Sequence, residues 1–404
     1  MTLHLSKFDK PLQGVVELTS SKSESNRALL MNALSGGKLK LFNLSAARDT
    51  QTMKRLFEKD DSIWDVLDAG TTMRFCTAYL GIHGKGEVIT GTPRMKERPI
   101  GLLADALIAL GAQIEYLENE GFPPMRIYGI LDQKTTEINI PGNISSQFIS
   151  ALLMIGPSLK KGLNIHLTTE VFSRPYIEMT LALMEHFGIK SNWDKNTITI
   201  HHQAYQASSY TIESDWSGAS YWYSMAALNE SPNLTLTGLK KNSLQGDQQI
   251  AAIMEQMGIY THYTSEGVQL TRKENTDTKI HIDFKKCPDL AQTVMVVAAV
   301  KGIHLSMTGL ESLRIKETDR IDAMTNELRK IGCQLTEDDH TWNLIPGKLP
   351  SEKPVIETYE DHRMAMAFAP LCQVGDIQIK DPDVVKKSYP DFWNDLKSVG
   401  VTIN

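Results

Sequence analysis

A repeat with a fixed stride restricts this chain more than any other feature. Ser145, Ser217, Asp289 and Asp361 are each 72 residues apart, and each opens a run of small and apolar residues. Similar runs begin near Ser23 and Gly70. Apolar residues occupy nearly every face of these segments, which predicts buried helices with polar residues confined to the first turn. A second series interleaves with the first: an amphipathic helix, then glycine, then a short alternating strand. Its glycines are Gly111, Gly188, Gly258, Gly332 and Gly400. Glycine suits the position just past a helix end, because it enters the left-handed region without strain. Alternation after it suits a half-buried strand. A helix over Thr50–Lys59 would be a sixth copy lacking the glycine.

Six copies of a unit of roughly 70 residues fill the 404-residue chain, which points to duplication and is too long for one ordinary domain. Three copies per domain divide it into a first domain over 20–213 and a second over 1–19 with 214–404. A helical solenoid could share the period, but a strand after each glycine argues for an α/β (α+β) fold.

Composition narrows the function classes. Hydrophobic residues make up 41% and charged residues 22%, as in a globular protein. No apolar run reaches the roughly 18–20 residues of a membrane span. The N-terminal stretch lacks the apolar core of a signal peptide and the character of a transit peptide, so a cytoplasmic protein without a membrane partner is expected. A net charge of −6 argues against a general nucleic-acid surface. Cys76, Cys287, Cys333 and Cys372 lie far apart and read as buried, reduced thiols. The motifs of a zinc protease, a phosphate-binding P-loop and a dinucleotide site are all missing from the sequence.

The chemistry is therefore sought at the polar helix starts. A helix N-terminus favours anions, and here the first turns add cations. Lys22, Ser23 and Arg27 open the first buried run, with Ser21 and Glu24 at capping-box spacing. Gly70 stands in the turn Asp68-Ala-Gly-Thr-Thr-Met-Arg74, where a missing side chain lets backbone approach a ligand. Arg94, Lys96 and Arg98 form a basic loop between prolines. Lys316 and Arg320 would repel one another at i,i+4 on a helix, and an anion between them would relieve the repulsion. Asp361-His362-Arg363 and Lys386-Lys387 complete the set, with His362 the one histidine placed near the chemistry. A mildly acidic chain with cations gathered at helix starts suits small, highly anionic substrates carrying phosphate and carboxylate.

Six short motifs then occur in order: Lys22-Ser23-x-x-Asn26-Arg27, Arg94-Met-Lys-Glu-Arg98-Pro-Ile-Gly, Ser145-Ser146-Gln147-Phe, Ser173-Arg-Pro-Tyr176, Lys316-Glu317-Thr-Asp-Arg320 and Asp361-His362-Arg363-Met-Ala-Met. In these the chain resembles the 5-enolpyruvylshikimate-3-phosphate synthases, members of the enolpyruvyl transferase family, over essentially its whole length. The resemblance implies a two-domain, inside-out α/β barrel with three βαβαββ repeats per domain and an active site in the cleft between domains. It implies transfer of the enolpyruvyl group of phosphoenolpyruvate to the 5-hydroxyl of shikimate 3-phosphate, with no metal or organic cofactor and a monomeric enzyme. It assigns Lys22, Ser23, Arg27, Ser145, Ser146, Gln147, Ser173, Asp289 and Lys316 to shikimate 3-phosphate. Phosphoenolpyruvate falls to Lys22, Gly70, Arg94, Gln147, Arg320, Arg363 and Lys387. Asp289 and Glu317 are the implied proton-transfer carboxylates, with Lys22 as acid partner.

The related UDP-N-acetylglucosamine enolpyruvyl transferases carry a cysteine in the reactive loop and Lys-Asn at the early motif. Here Ser23 follows Lys22, and residues 91–99 contain no cysteine. Asp68, Phe75 and Ser312 depart from the residues common in the resembled family, and the stretch from Arg55 to Val66 looks short.

Overall fold

Strand pairing repeats along this chain as regularly as the sequence does. The computed structural model describes residues 1–59, 61–274, 277–349 and 353–404. The chain divides into two units, Ser20–Ile212 and Met1–Thr19 with Glu213–Asn404.

Within Ser20–Ile212, one complete repeat runs strand Ile63–Asp65, helix Gly70–His83, strand Lys85–Thr90, helix Gly101–Leu110, then the strands Gln113–Tyr116 and Met125–Tyr128. The first two strands are parallel, as a crossover through a helix requires. The last strand returns antiparallel against the second, giving the spatial order first, second, fourth, third. Glu137–Ile140, Leu163–Leu167, Ser191–Asp194 and Thr197–Ile200 repeat that pattern. The repeat that carries Lys22 is reduced. Lys40–Phe42 pairs only with Ser209–Thr211, and the helix Arg48–Glu58 leads to Ile63–Asp65 with no closing hairpin among the described residues. The short Arg55–Val66 stretch leaves no room for one.

The other unit has two complete four-stranded sheets. One of them begins with Gln13–Val16, laid parallel to Asn233–Thr237. In the third sheet, Ile377–Lys380 takes Val355–Ile356 on one edge and Thr2–Leu5 on the other. The strand expected after Gly400 contracts to a single bridge between Ile403 and Leu5.

Buried helices form the centre of each unit. Lys22–Leu34, Gly70–His83 and Ser146–Ile155 pack on one another in one; Trp216–Leu228, Ala291–Lys301 and His362–Phe368 do so in the other. Ala291–Lys301 buries every residue from Ala291 to Ala299. Surrounding strands bury alternate residues, as Ile280 and Ile282 show within Lys279–Asp283. Each fully buried Leu, Ile or Met contributes roughly 1.5–3 kcal/mol, so the all-round apolar helices belong inside and the two-faced strands outside. All five series glycines have positive φ. A Cβ on Gly332 would meet the Lys348 carbonyl, and one on Gly111 the Asp132 carbonyl.

Candidate active site

In Ser20–Ile212 short serine caps set the starts of the helices Lys22–Leu34 and Ser146–Ile155, whereas Gly70–His83 starts without a side-chain cap. Ser21 Oγ accepts from the Glu24 N–H, and Ser145 Oγ accepts from the Gln147 N–H. Lys22, at the first helical position, donates from Nζ to Asp49 Oδ2 at 3.0 Å. Asp49 is itself almost fully buried, and its carbonyl accepts from Thr72 Oγ1. Gln147 Nε2 donates to Thr71 Oγ1 at 3.1 Å, so the starts of the helices Ser146–Ile155 and Gly70–His83 meet. Across from Gly70 lies Arg98: a Cβ at Gly70 would stand 2.6 Å from Arg98 Nη1. Arg74 ties the same place together, donating to the Gly70 carbonyl and the Pro99 carbonyl.

Arg27 is buried at 2% exposure and faces inward. It donates from Nε to Thr180 Oγ1 at 2.7 Å, and to the Ser23 carbonyl, Ser150 Oγ and the Tyr176 carbonyl. Its guanidinium lies 5.7 Å from the Phe75 ring centroid. Four of its five N–H groups are thus used inside the unit. Burial pulls its pKa down to about 10, against the smaller opposing pull of Tyr176 and Glu24, so it stays charged at neutral pH. Ser23 and Ser145 are half-buried and Ser146 is buried. Ser173 precedes the helix Arg174–His186 in the left-handed region, φ 52°. Arg94 stands on an exposed short helix, paired with Glu97 at 2.8 Å.

The other unit gathers its charges differently. Asp289, on the turn Pro288–Leu290, accepts from Arg320 Nη1 at 3.0 Å and Arg363 Nη2 at 3.0 Å, with Lys316 Nζ 3.4 Å away. Its carbonyl accepts a further bond from Arg363. Arg320 is 2% exposed; its Nε donates to Asp361 Oδ2 at 2.7 Å and its Nη2 to Glu317 Oε2 at 2.9 Å. Asp361 caps the helix His362–Phe368 by accepting from the Arg363 N–H at 2.8 Å. Burial pushes the Asp289 carboxyl upward, but Arg363, Lys316 and Arg320 outweigh it and hold the group well below the usual carboxylate range. For Arg320, burial works against the charge while Asp361, Glu317 and Asp289 stabilise it, with a net upward shift. Lys387 is buried at the end of the turn Pro382–Lys387, which packs on the Arg363 helix. His362, next to Arg363, shares a hydrogen bond between its Nδ1 and Ser388 Oγ.

Lys316 and Arg320 do not share a helix. Lys316 ends the turn Glu311–Ile315, and Asp319 caps a new helix that starts at Arg320. Asp289 occupies the position between the two cations that the sequence reading gave to an anionic ligand. Among the expected residues, Asp289, Lys316, Glu317, Arg320 and Arg363 form one contiguous cluster. In the other unit Gln147 bonds Thr71, the neighbour of Gly70, while Arg94 pairs with Glu97 and Arg27 faces inward.

Sequence reasoning assigned no role to Asp49 or Asp361, the carboxylates that hold Lys22 and Arg320. Each opens a helix beside a basic residue, the one signal that could have found them. Asp68, unexpected near a phosphate, accepts from Arg48 at 2.7 Å. Phe75 is core, and Ser312 lies within the turn Glu311–Ile315. Among the described residues, no group of three or more His, Cys, Asp or Glu is arranged to hold a metal ion, and no helix is long and apolar enough to cross a membrane.

Comparison with known proteins gives a consistent result. The family model described as EPSP synthase (3-phosphoshikimate 1-carboxyvinyltransferase) matches residues 7–59 and 54–396. A 3-phosphoshikimate 1-carboxyvinyltransferase of Bacteroides fragilis (strain YCH46) is 48% identical over 400 residues, covering 97% of this chain and 96% of the relative. One from Sulfurovum sp. (strain NBC37-1) is 36% identical over 419 residues, covering 96% and 97%. Among solved structures, an EPSP synthase from Acinetobacter baumannii superposes with a TM-score of 0.80 at 22% identity, covering 100% of this chain and 99% of that one. The enolpyruvyl transferase NikO from Streptomyces tendae superposes at 0.73 and 13% identity, covering 100% and 98%. At those identities the two structures speak for the fold alone, the inside-out arrangement of helices within sheets.

Proposed function

This chain belongs to the EPSP synthase family, and on that premise we propose how its residues divide the work of the reaction. The enzyme is a transferase of the shikimate pathway, which serves aromatic amino-acid biosynthesis. It moves the enolpyruvyl group of phosphoenolpyruvate to the 5-hydroxyl of shikimate 3-phosphate and releases phosphate. Addition needs a base at the 5-hydroxyl and an acid at the enolpyruvyl methylene carbon. As the hydroxyl oxygen bonds to the central carbon, its proton leaves and the methylene gains one, giving a tetrahedral intermediate. Elimination then removes a methyl proton, re-forms the double bond and breaks the carbon–oxygen bond to phosphate, whose charge needs cations.

Asp289 takes the hydroxyl proton and Glu317 exchanges the proton at the methylene, with Lys22 as acid partner. The observation that carries this reading is Asp289 itself, a carboxylate held ionised by Arg363, Lys316 and Arg320. So strongly neutralised a carboxylate is a weak base. Substrate anions that draw these cations toward themselves weaken their hold, and the pKa of Asp289 rises into a range where it can accept a proton. The cluster is then a base switched on by its own substrates.

Gly70, Arg94, Gln147, Arg320, Arg363 and Lys387 hold phosphoenolpyruvate, and Lys22 serves both substrates. Ser23, Ser145, Ser146, Gln147, Ser173, Asp289 and Lys316 hold shikimate 3-phosphate. Arg27, with four N–H groups already occupied, adds one donor at most. The enzyme acts as a cytoplasmic monomer. Four free, buried cysteines suit a reducing compartment, and sedimentation at 45.2 kDa, independent of concentration, is the expected result.

The direct test mixes the protein with phosphoenolpyruvate and shikimate 3-phosphate and follows phosphate release. Release equal to substrate consumed, and dependent on both substrates, is expected. Release without shikimate 3-phosphate, or none with both, would overturn the assignment.

A further inference from the structure

The helix Arg320–Lys330 carries a second buried charge that the reaction does not use. Glu327 is fully buried, seven residues after Arg320. At 3.6 residues per turn the two stand nearly in line, about 10 Å apart along the axis. Burying a carboxylate is costly unless its oxygens are bonded, and here they are. Oε1 accepts from the Tyr359 hydroxyl at 2.7 Å, and Oε2 accepts from the Glu357 N–H at 3.2 Å, with Lys330 Nζ 2.7 Å from it. The segment so gripped leads straight to Asp361. Tyr359 and Glu360, the two residues before it, both sit in the left-handed region at φ 53° and 56°. Two consecutive residues with β-carbons persist there only when their surroundings over-determine them. Glu327 holds this segment on one side. Arg320, from the same helix, holds it on the other through Asp361. Asp361 in turn fixes the first turn of the helix that carries Arg363.

We propose that Glu327 is a positioning residue for the phosphoenolpyruvate-binding arginines. Through Tyr359 and the Glu357 amide it holds the left-handed pair in place, so that Asp361 can orient Arg320 and seat the helix of Arg363. Glu327 touches no reacting atom and acts only through Tyr359 and Asp361. The inference rests on the assignment of Arg320 and Arg363 to phosphoenolpyruvate.

The test uses the full chain carrying Tyr359→Phe, Glu327→Gln or Glu327→Ala. Wild-type turnover is measured first, and its absence would sink the underlying assignment rather than this one. Tyr359→Phe removes one hydroxyl and keeps the ring. Its KM for phosphoenolpyruvate should rise by about tenfold, the equivalent of one lost hydrogen bond, while KM for shikimate 3-phosphate stays within about twofold. Glu327→Ala should show the larger rise and Glu327→Gln, which keeps the shape and one acceptor, the smaller. Should Glu327→Ala fail to fold, Tyr359→Phe carries the test alone. A lower melting temperature with both KM values unchanged would reduce Glu327 to a purely structural group. Equal rises for both substrates would also overturn the proposal.

Discussion

The two units of this protein hold their buried arginines by opposite means. In Ser20–Ile212, Arg27 gives its hydrogen bonds to two hydroxyls and two carbonyls, none of them charged. In the other unit, Arg320 faces three carboxylates, Asp289, Glu317 and Asp361. The first arrangement satisfies donors with neutral groups, and the opposing pull of Glu24 only partly offsets the burial that lowers the pKa of Arg27. The second sets three carboxylates against three cations and cancels their charge, with the pKa of Arg320 raised. An uncancelled charge attracts an anion from outside at no cost in broken ion pairs. A cancelled one must be rearranged by the arriving ligand, and that rearrangement can change the proton affinity of a carboxylate. One repeated fold unit thus holds a buried arginine on neutral groups in one copy and within a carboxylate network in the other.

The largest test removes the cation proposed to serve both substrates. Lys22→Met keeps much of the apolar stem and deletes the ammonium that pairs with Asp49. A fall in kcat of about a thousandfold or more is expected, in the range for a lost proton-transfer group, with the fold intact by circular dichroism. Turnover close to wild type would remove Lys22 from the mechanism.

The comparison itself is broken or kept by two stability measurements. Arg320→Met leaves Asp361 buried without its cation and should cost about 3–5 kcal/mol by urea unfolding. Arg27→Met leaves its hydrogen-bond acceptors, all neutral, unpaired and removes the weaker pull on the buried Glu24, and should cost about 1–3 kcal/mol. If Arg27→Met proves the more costly of the two, the distinction between charged and neutral partners does not hold.

Next in size is the division between substrates. Arg94→Ala and Arg363→Ala should each weaken phosphoenolpyruvate by about 10- to 150-fold, one charge-assisted hydrogen bond each. Shikimate 3-phosphate should be little affected, as read by calorimetric titration. Because Arg363 also holds Asp289, equal weakening of both ligands there would make it part of the general field rather than of a donor subsite.

The smallest effect is a pH dependence. The Asp289 pKa is lowered on folding, so the unfolded chain binds a proton there first as pH falls. Its stabilisation is complete above about pH 5 and is lost progressively below the unfolded value of roughly 3.9, at no more than about 1.4 kcal/mol per pH unit. Urea midpoints of wild type and Asp289→Asn should therefore converge between pH 7 and pH 3. A gap that stays constant would mean that Asp289 is not held ionised by its cations.

Helix starts were legible because a short polar residue before an apolar run has one good use, as a cap. Ser21, Ser145 and Asp361 all cap in this way. Helix ends were legible at the glycines, where positive φ excludes most other residues. Pairings across the repeats were not. Asp289 and Arg363 are 74 positions apart, and no local pattern links them. The inward course of Arg27 was half legible, since five residues place it about 140° around the helix from Lys22. Facing inward and facing a ligand leave the same periodic signature, so only the packed structure tells them apart. The break between Lys316 and Arg320 escaped notice because Asp319, read as one more charge in a run, is in fact a cap.

The strand Thr2–Leu5 has a consequence for the order in which the molecule is made. Leu5 pairs with Ile377, 372 positions later, and Gln13–Val16 pairs with Asn233–Thr237. At a synthesis rate of about 5–20 residues per second, the first strand waits roughly 20–75 s for its partner to leave the ribosome. All of Ser20–Ile212 is translated in that interval and can fold as an unbroken stretch. The unit that carries the carboxylate network thus waits for Ile377–Lys380 to complete its third sheet, long after Thr2–Leu5 has been made.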